Sequence, residues 1–158
     1  MTCADPLSAL PPQIRVVAVA IVDGGRLLVL RKRSGGALIL PGGKPSAGES
    51  EVETLEREIW EELRCQITAL EPFGEFTAPA AHEDEADVHC TVYLGRLVGT
   101  PTPSGEIVDH RWVPLERTAG LAALHRQLNP ALQARAAAGR ALSAAGGRSA
   151  RHSQPEEA

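Results

Sequence analysis

The chain has 158 residues, of which 43% are apolar, with a formal net charge of −4 and a pI of about 5.7. This length and composition suffice for one domain with a real core, and the acidic balance argues against a dedicated nucleic-acid or membrane-surface binder. No apolar run approaches the roughly 18 residues that a membrane helix needs.

The cysteines and the first residues of the chain indicate its compartment. Cys3, Cys65 and Cys90 are odd in number and lack the spacing of metal ligands, which is typical of reduced thiols. Residues 1–13 contain no basic stretch followed by an apolar one, so a secretory signal is not expected. We therefore expect a cytoplasmic protein.

The first predicted elements are strands. Residues 14–22 are β-branched and apolar, Asp-Gly-Gly at 23–25 signals a turn, and residues 26–33 form the return strand of a hairpin. A short strand is predicted at 37–40, where the breaker-rich segment 41–50 ends it.

A helix is predicted at 50–63. Its apolar residues Val52, Leu55, Ile59 and Leu63 recur at intervals of 3, 4 and 4, which is the stripe of an amphipathic helix. This face is expected to pack on a sheet.

The second half of the chain is predicted to contain three strands and a helix: strands at 65–77, 87–98 and 107–115, and a helix at 116–128. Asn129 and Pro130 are expected to interrupt the chain, which then becomes rich in Ala, Arg and Gly. We expect a short helix there and disorder from about Gly146.

This order of elements predicts a mixed α/β domain with helices packed on the faces of a sheet. The expected organisation is a flexible N-terminal segment at 1–12, one domain at 13–130, and a C-terminal helix with a disordered tail at 131–158.

The predicted helix carries a cluster of carboxylates. At about 100° per residue, Glu58, Glu61 and Glu62 fall within an arc of roughly 100° beside the apolar stripe. Like charges at i and i+4 repel by a few tenths of a kcal/mol per pair. The cluster is either a solvated acidic face or a site for a hard divalent cation, which prefers oxygen ligands, and the helix alone leaves both open.

The segment that leads into this helix, "LPGGKPSAGESEVETLEREIWEELRC", decides between them. Its spacing resembles the Nudix box, G-x5-E-x7-R-E-U-x-E-E-x-G-U, where U is aliphatic. Six fixed residues match over 23 positions, namely Gly43, Glu49, Arg57, Glu58, Glu61 and Glu62. The resemblance implies an α/β/α sandwich with a mixed central sheet. It also implies hydrolysis of a nucleoside diphosphate linked to another moiety, with Mg²⁺ as the cofactor or Mn²⁺ in its place.

The resemblance also assigns roles within the box. The implied cation ligands are the carboxylates of Glu58, Glu61 and Glu62 and the carbonyl of Gly42. Arg57 is implied to pair with Glu49 and so to orient the loop against the helix. The bound cations would neutralise the pyrophosphate, polarise a phosphorus and activate the attacking water.

One position departs from the pattern. Arg64 stands where the family has a glycine, and Cys65 replaces the last aliphatic residue. That glycine is the left-handed residue with which many helices end. We expect this helix to end differently, because arginine is disfavoured at positive φ.

The general base is left open. Glu61 and Glu62 are candidates within the box. Glu106, in the loop before the last predicted strand, is the third, since family members often carry a carboxylate there. An ordinary loop-end charge is the alternative for Glu106.

Candidate substrate contacts lie outside the helix. Arg31 and Arg33 share a face of their predicted strand, and Lys44 directly follows the glycine pair, so all three are candidates for phosphate binding. Phe76 is a candidate for stacking on the base. Solvated cations and core packing are the alternative roles.

The favoured function is conversion of a nucleoside triphosphate to a nucleoside monophosphate and pyrophosphate. ADP-ribose or another nucleotide-sugar is the second substrate class. A nucleotide-binding Nudix module without activity is the third hypothesis, because fold does not fix function. The expected partner is a small-molecule nucleotide, with neither a membrane nor a dedicated nucleic-acid partner, and a homodimer is compatible with the family.

Overall fold

The computed structural model describes residues 13–82 and 86–148, and within these ranges side chains are described up to residue 139. The predicted flexible segment 1–12 and residues 149–158 of the predicted tail lie outside the described residues.

Seven strands and two helices make up the described chain. The strands are β1 (Gln13–Ala20), β2 (Val22–Asp23), β3 (Arg26–Lys32), β4 (Gly42–Gly43), β5 (Gln66–Pro79), β6 (Asp87–Val98) and β7 (Ile107–Pro114). The helices are α1 (Glu51–Leu63) and α2 (His125–Arg148).

The strands form two sheets. The first has the order β4-β1-β6-β5 and is mixed, because β1 and β6 are parallel while the other pairs are antiparallel. The second has the order β2-β3-β7 and is antiparallel. The predicted mixed α/β fold is confirmed.

Alternation along β1 divides the core into two layers. Val17 and Val19 pack with the apolar stripe of α1, whereas Ala18 and Ala20 pack in a second cluster that includes Leu128 of α2. The sheets therefore lie between two helices. The stripe is confirmed at its three fully buried members Leu55, Ile59 and Leu63, and Val52 is 40% exposed. Burying each such leucine or isoleucine contributes about 1.5–3 kcal/mol.

The two ends of α1 are set by local contacts. Ser50 is the N-cap, and its hydroxyl accepts a hydrogen bond from the Glu53 amide at 3.1 Å. At the other end Arg64 has φ 54° and ψ 35°, and its amide donates to the Trp60 carbonyl at 3.0 Å. The expectation that the helix ends without a left-handed residue is wrong.

Two predicted elements are absent from the described chain. Residues 37–40 form isolated bridges, Leu30 to Ile39 and Leu38 to Leu121, instead of a strand. The helix predicted at 116–128 is also wrong, since turns occupy most of that segment and α2 begins only at His125.

Long-range pairing explains this second difference. The Leu38 amide donates to the Gly120 carbonyl at 3.0 Å, and the Ala122 amide donates to the Leu38 carbonyl at 2.9 Å. These bonds replace the helical pattern of the segment. Asn129 and Pro130, predicted to break the chain, lie inside α2, which runs across the predicted domain boundary at 130.

Candidate active site

A cavity of about 390 Å³ opens between the mixed sheet, the side of α1 and the start of α2. One part of its wall is apolar and includes Val16, Ala18, Leu40, Ala78, Val88 and Leu124. The other part is charged and includes Lys32, Lys44, Glu58, Glu62 and Glu106. The cavity therefore suits a ligand with one apolar and one anionic end, provided that a cation offsets the carboxylates.

The glycine pair of β4 brings backbone close to this charged wall. Gly42 has φ +144°, and a Cβ there would overlap the carbonyl of Val17 in the paired strand β1. A Cβ on Gly43 would overlap the carboxylate of Glu58. Glycine is therefore required at Gly42 for strand pairing and at Gly43 for the position of Glu58.

Glu62 is the most buried carboxylate of the cavity. It is 5% exposed, and its Oε1 accepts a hydrogen bond from the Gly42 amide at 2.8 Å. Burial raises the pKa of Glu62 to about 8, and the nearby charges of Glu58 and Glu106 add to the increase. The Gly42 amide and Lys32 act in the opposite direction. Without a cation this carboxyl is largely protonated at neutral pH.

Glu58 lies beside Glu62 in the wall of the cavity. Burial raises its pKa as well, against the opposing effect of Arg57, and the charges of Glu61 and Glu106 raise it further. The carboxylates thus destabilise one another's charged forms, as buried like charges do.

Arg57 organises the loop before the helix. Its Nε and Nη2 donate to the two carboxylate oxygens of Glu49 at 2.7 and 2.9 Å, a bidentate pair. Nη1 also donates to Glu58 at 2.9 Å and to Glu61 at 3.3 Å, and Nη2 donates to the Lys44 carbonyl at 3.1 Å. The bond from Arg57 is the main reason that the pKa of Glu49 falls to about 2. The predicted Arg57–Glu49 pair is confirmed.

Glu106 reaches the same cavity from the loop between β6 and β7. Its carboxylate lies 3.7 Å from the Lys32 ammonium, and its own side chain is 70% exposed. Its carbonyl accepts a hydrogen bond from the Arg33 amide at 2.7 Å, which fixes the end of the loop. Glu106 therefore lines the cavity with its carboxylate open to solvent.

Glu61 occupies a different environment. It is 55% exposed and pairs with Arg57, whereas Glu58 and Glu62 line the cavity. The structure thus brings Glu58, Glu62 and Glu106 together and leaves Glu61 at the margin.

Arg31 and Arg33 are not among the cavity-lining residues, but Lys32, which lies between them in sequence, is. β3 ends at Lys32, and its pairing with β7 shifts register between Arg31 and Lys32. Arg33 lies beyond the strand, where its guanidinium contacts the Gly105 carbonyl at 3.4 Å. Arg31 and Arg33 therefore stay predictions as phosphate contacts, and Lys32 is the cation of this segment that lines the cavity.

Lys44 and Phe76 also differ in their placement. Lys44 lines the cavity as predicted. Phe76 instead packs against the core on the α2 side, with its ring centre 6.3 Å from that of Phe73. A stacking role for Phe76 is therefore not supported by its position, because the core holds its ring.

His125 is a cavity residue that sequence reasoning missed. It is 1% exposed, and its Nδ1 lies 3.0 Å from Oδ1 of Asn129, whose amide nitrogen donates to the Arg117 carbonyl at 2.9 Å. The Asn129 amide oxygen faces the ring and can only accept a hydrogen bond, so Nδ1 of His125 carries the proton. Nε2 is then an acceptor, and it has no partner among the described residues.

The donor chemistry of the charged wall fits a divalent cation. Among the described residues, no three His, Cys, Asp or Glu side chains are arranged to hold a metal as they stand. Arg57 holds an oxygen of Glu58 and an oxygen of Glu61. However, buried carboxylates with raised pKa values are relieved by a cation, and oxygen ligands are what Mg²⁺ prefers. Glu58 and Glu62, with Glu106 nearby, are the residues that would hold it.

Comparisons with known proteins agree with this geometry. A family model described as NUDIX domain matches residues 11–133. No curated protein matches the sequence. No helix in the described part of the chain has the length and hydropathy to cross a membrane.

Several solved structures share the fold. The MutT protein from Methanosarcina mazei Go1 is 27% identical with a TM-score of 0.68, over 79% of this chain and 96% of that chain. The ORF135 protein of E. coli is 26% identical with a TM-score of 0.67, over 85% of this chain and 97% of that chain. An ADP-ribose pyrophosphatase from Streptococcus suis is 21% identical with a TM-score of 0.60, over 77% of this chain and 90% of that chain. At this identity the likeness shows the fold alone.

Proposed function

The chain belongs to the Nudix family of hydrolases, and from this premise we propose that it hydrolyses a nucleoside triphosphate to a nucleoside monophosphate and pyrophosphate with Mg²⁺ as cofactor. The observation that carries the proposal is the placement of the buried Glu62 and the half-buried Glu58 in one cavity, with Glu106 beside them. A bound cation would stabilise the charged forms of these carboxylates, whose pKa values are raised at Glu58 and Glu62.

The chemistry divides between the cation and the chain. When bound, a divalent ion neutralises the pyrophosphate charge and lowers the pKa of a water at phosphorus. Glu58 and Glu62 would hold it, and Arg57 keeps the preceding loop in place through its bonds to Glu49 and keeps Glu58 in place through a direct bond. Glu106, Glu61 and Glu62 remain the candidates for the general base, and the exposure of Glu106 at the cavity favours it.

The shape of the cavity supports a nucleotide with a single base. Its apolar wall can cover one base, while Lys32 and Lys44 line the charged end where phosphates would lie. The buried acceptor of His125 suits an amino group on that base, because an unsatisfied buried acceptor costs about 1–3 kcal/mol.

ADP-ribose or another nucleotide-sugar is the second substrate class. The support for it is the ADP-ribose pyrophosphatase among the structural neighbours and Pro79, which lines the cavity. Relatives that cleave ADP-ribose carry a proline near this distance after the box, and Pro79 is about one residue away from that position. A non-catalytic module is the third hypothesis, and the presence of every box carboxylate argues against it. A cytoplasmic location and a homodimer remain predictions.

A substrate panel with and without Mg²⁺ tests the proposal. We expect the chain to release pyrophosphate and monophosphate from at least one nucleoside triphosphate at ten times the rate for ADP-ribose, and EDTA to abolish the release. Products are separated by ion-exchange chromatography. Faster cleavage of ADP-ribose would move the chain to the second substrate class, and no cleavage of any compound would favour the binding module.

Lys32→Gln is expected to raise KM for the triphosphate about tenfold and to change kcat by less than threefold. Lys32 lines the charged end of the cavity and lies 3.7 Å from Glu106, so its ammonium is placed to meet a phosphate. A tenfold change corresponds to about 1.4 kcal/mol of binding. Steady-state kinetics across substrate concentration gives both parameters.

Arg31→Gln is the matched control for Lys32→Gln, because it removes the neighbouring cation, which is not among the residues that line the cavity. Its KM should stay within twofold of the wild-type value. A larger rise in KM for Arg31→Gln than for Lys32→Gln would restore the assignment made from the sequence.

A further inference from the structure

The loop that carries Glu106 is attached to the end of α1. The amide of Thr102 donates to the Leu63 carbonyl at 2.9 Å, and the amide of Ser104 donates to the Glu62 carbonyl at 2.9 Å. The last carbonyls of a helix have no partner within it. Here the loop before β7 supplies those partners and is thereby aligned with the helix that holds the buried carboxylates.

Arg64 adds a third attachment through its side chain. Its Nε donates to the Ser104 hydroxyl at 3.1 Å, and its guanidinium lies over the Trp60 ring, 5.5 Å from the ring centre. The backbone of Arg64 is left-handed, with φ 54°. That conformation strains an arginine relative to a glycine, but it directs the side chain over α1 toward the loop.

The attachment leads directly to the cavity. Ser104 precedes Glu106 by two residues, and the Ile107 amide donates to the Ser104 carbonyl at 3.1 Å, which closes a turn around Glu106. From this turn the Glu106 carboxylate reaches the cavity wall beside Glu58 and Glu62.

We propose that Arg64 is a positioning residue for the hydrolytic reaction: it holds Ser104, and through that turn it holds Glu106 beside the buried carboxylates. The inference rests on the proposed function. A glycine at this position would end the helix with less strain but would leave the Ser104 hydroxyl without this contact. Arginine in place of the family's glycine therefore adds backbone strain but holds the loop in place.

Arg64→Gly separates positioning from stability, because it should raise the melting temperature and lower kcat. Relief of the left-handed strain should raise the melting temperature, while loss of the Ser104 contact should lower kcat about fivefold with KM unchanged. Ser104→Ala removes only the accepting hydroxyl and should lower kcat by a similar factor. The double variant should be no slower than either single variant, since both remove one contact.

Hydrogen exchange supplies a readout that does not depend on activity. The amides of Thr102 and Ser104 should exchange at least threefold faster in Arg64→Gly and in Ser104→Ala than in the wild-type chain. Arg135→Ala is the matched control. It removes another exposed arginine, one that pairs with Glu71 at 3.0 Å, and it should alter neither kcat nor these two amides.

The outcomes separate this inference from the proposed function. Unchanged exchange at both amides in Arg64→Gly would overturn the inference, and so would kcat losses that multiply in the double variant or faster exchange with full kcat. A wild-type chain that cleaves no nucleotide would refute the proposed function. The attachment of the loop by Arg64 would then be judged by exchange alone, where faster exchange supports it and unchanged exchange refutes it.

Discussion

Glu62→Gln is expected to lower kcat by at least a hundredfold while the folded chain becomes more stable. Glutamine has nearly the same shape and keeps an oxygen for the Gly42 amide, which donates to Glu62 at 2.8 Å. It cannot carry the negative charge that a cation ligand or a base needs. A hundredfold loss corresponds to about 2.7 kcal/mol of transition-state stabilisation. Single-turnover kinetics with Mg²⁺ measures the loss.

The gain in stability has a defined pH dependence. Burial raises the pKa of Glu62 from 4.5 to about 8. Above pH 4.5 the unfolded chain ionises this carboxyl, whereas the folded chain still binds its proton. Wild-type stability therefore falls as the pH rises from about 4.5 to about 8, and the loss is complete above that range. Glu62→Gln has no such titrating group, so its gain in stability over the wild-type chain should be absent at pH 4 and largest at pH 8.5.

Mg²⁺ should make the wild-type chain more stable than Glu62→Gln, which reverses their order without the cation. A ligand that binds only the folded state raises its stability, so Mg²⁺ should raise the melting temperature of the wild-type chain more than that of Glu62→Gln. Glu56→Gln is the matched control, because Glu56 is exposed on the same helix and takes no part in the site. Wild-type turnover in Glu62→Gln would rule out a role for this carboxylate in the reaction.

The part of the site that the sequence predicted is local in the chain. The α1 stripe follows from the 3.6-residue period, and the Arg57–Glu49 pair joins residues only eight positions apart. Both lie in the segment of the box, where the spacing of residues along a loop and one helix determines which side chains meet. The cavity-lining carboxylates Glu58 and Glu62 belong to the same segment.

The remaining parts depend on pairing between distant segments. Lys32 lines the cavity, whereas Arg31 and Arg33 are not among the lining residues. Two-residue alternation shows that Arg31 and Arg33 share a face opposite to Lys32, but which face meets the cavity depends on how the sheets pack. Tertiary contacts of this kind override local patterns in sheets.

The start of α2 is also set by contacts with a distant segment and not by the local pattern. The segment at 116–128 has the composition of a helix, but its bonds to Leu38 hold the first part as turns. The helix therefore begins at His125, which places that side chain in the cavity wall. Nothing in the local sequence distinguishes His125 from an ordinary helix residue.

Gly43→Ala is expected to lower kcat about thirtyfold, which corresponds to about 2 kcal/mol of transition-state stabilisation, with little effect on folding. A Cβ at this position would overlap the Glu58 carboxylate, which must then move away from the cavity wall. The backbone of Gly43 is not left-handed, so alanine fits the strand. The displaced carboxylate should also weaken binding of Mn²⁺, used as a spectroscopic substitute for Mg²⁺, by about tenfold in an electron paramagnetic resonance titration.

Gly42→Ala is the contrast that assigns this loss to Glu58. Its Cβ would overlap the Val17 carbonyl, which is backbone of the paired strand β1, at a φ of +144°. Backbone in a paired strand cannot move aside as a side chain can, so Gly42→Ala should destabilise the fold by on the order of 3 kcal/mol or more. Urea unfolding measures the difference. If Gly43→Ala lost as much stability as Gly42→Ala, its slower turnover would reflect a damaged strand pair, and the placement of Glu58 by the second glycine would be refuted.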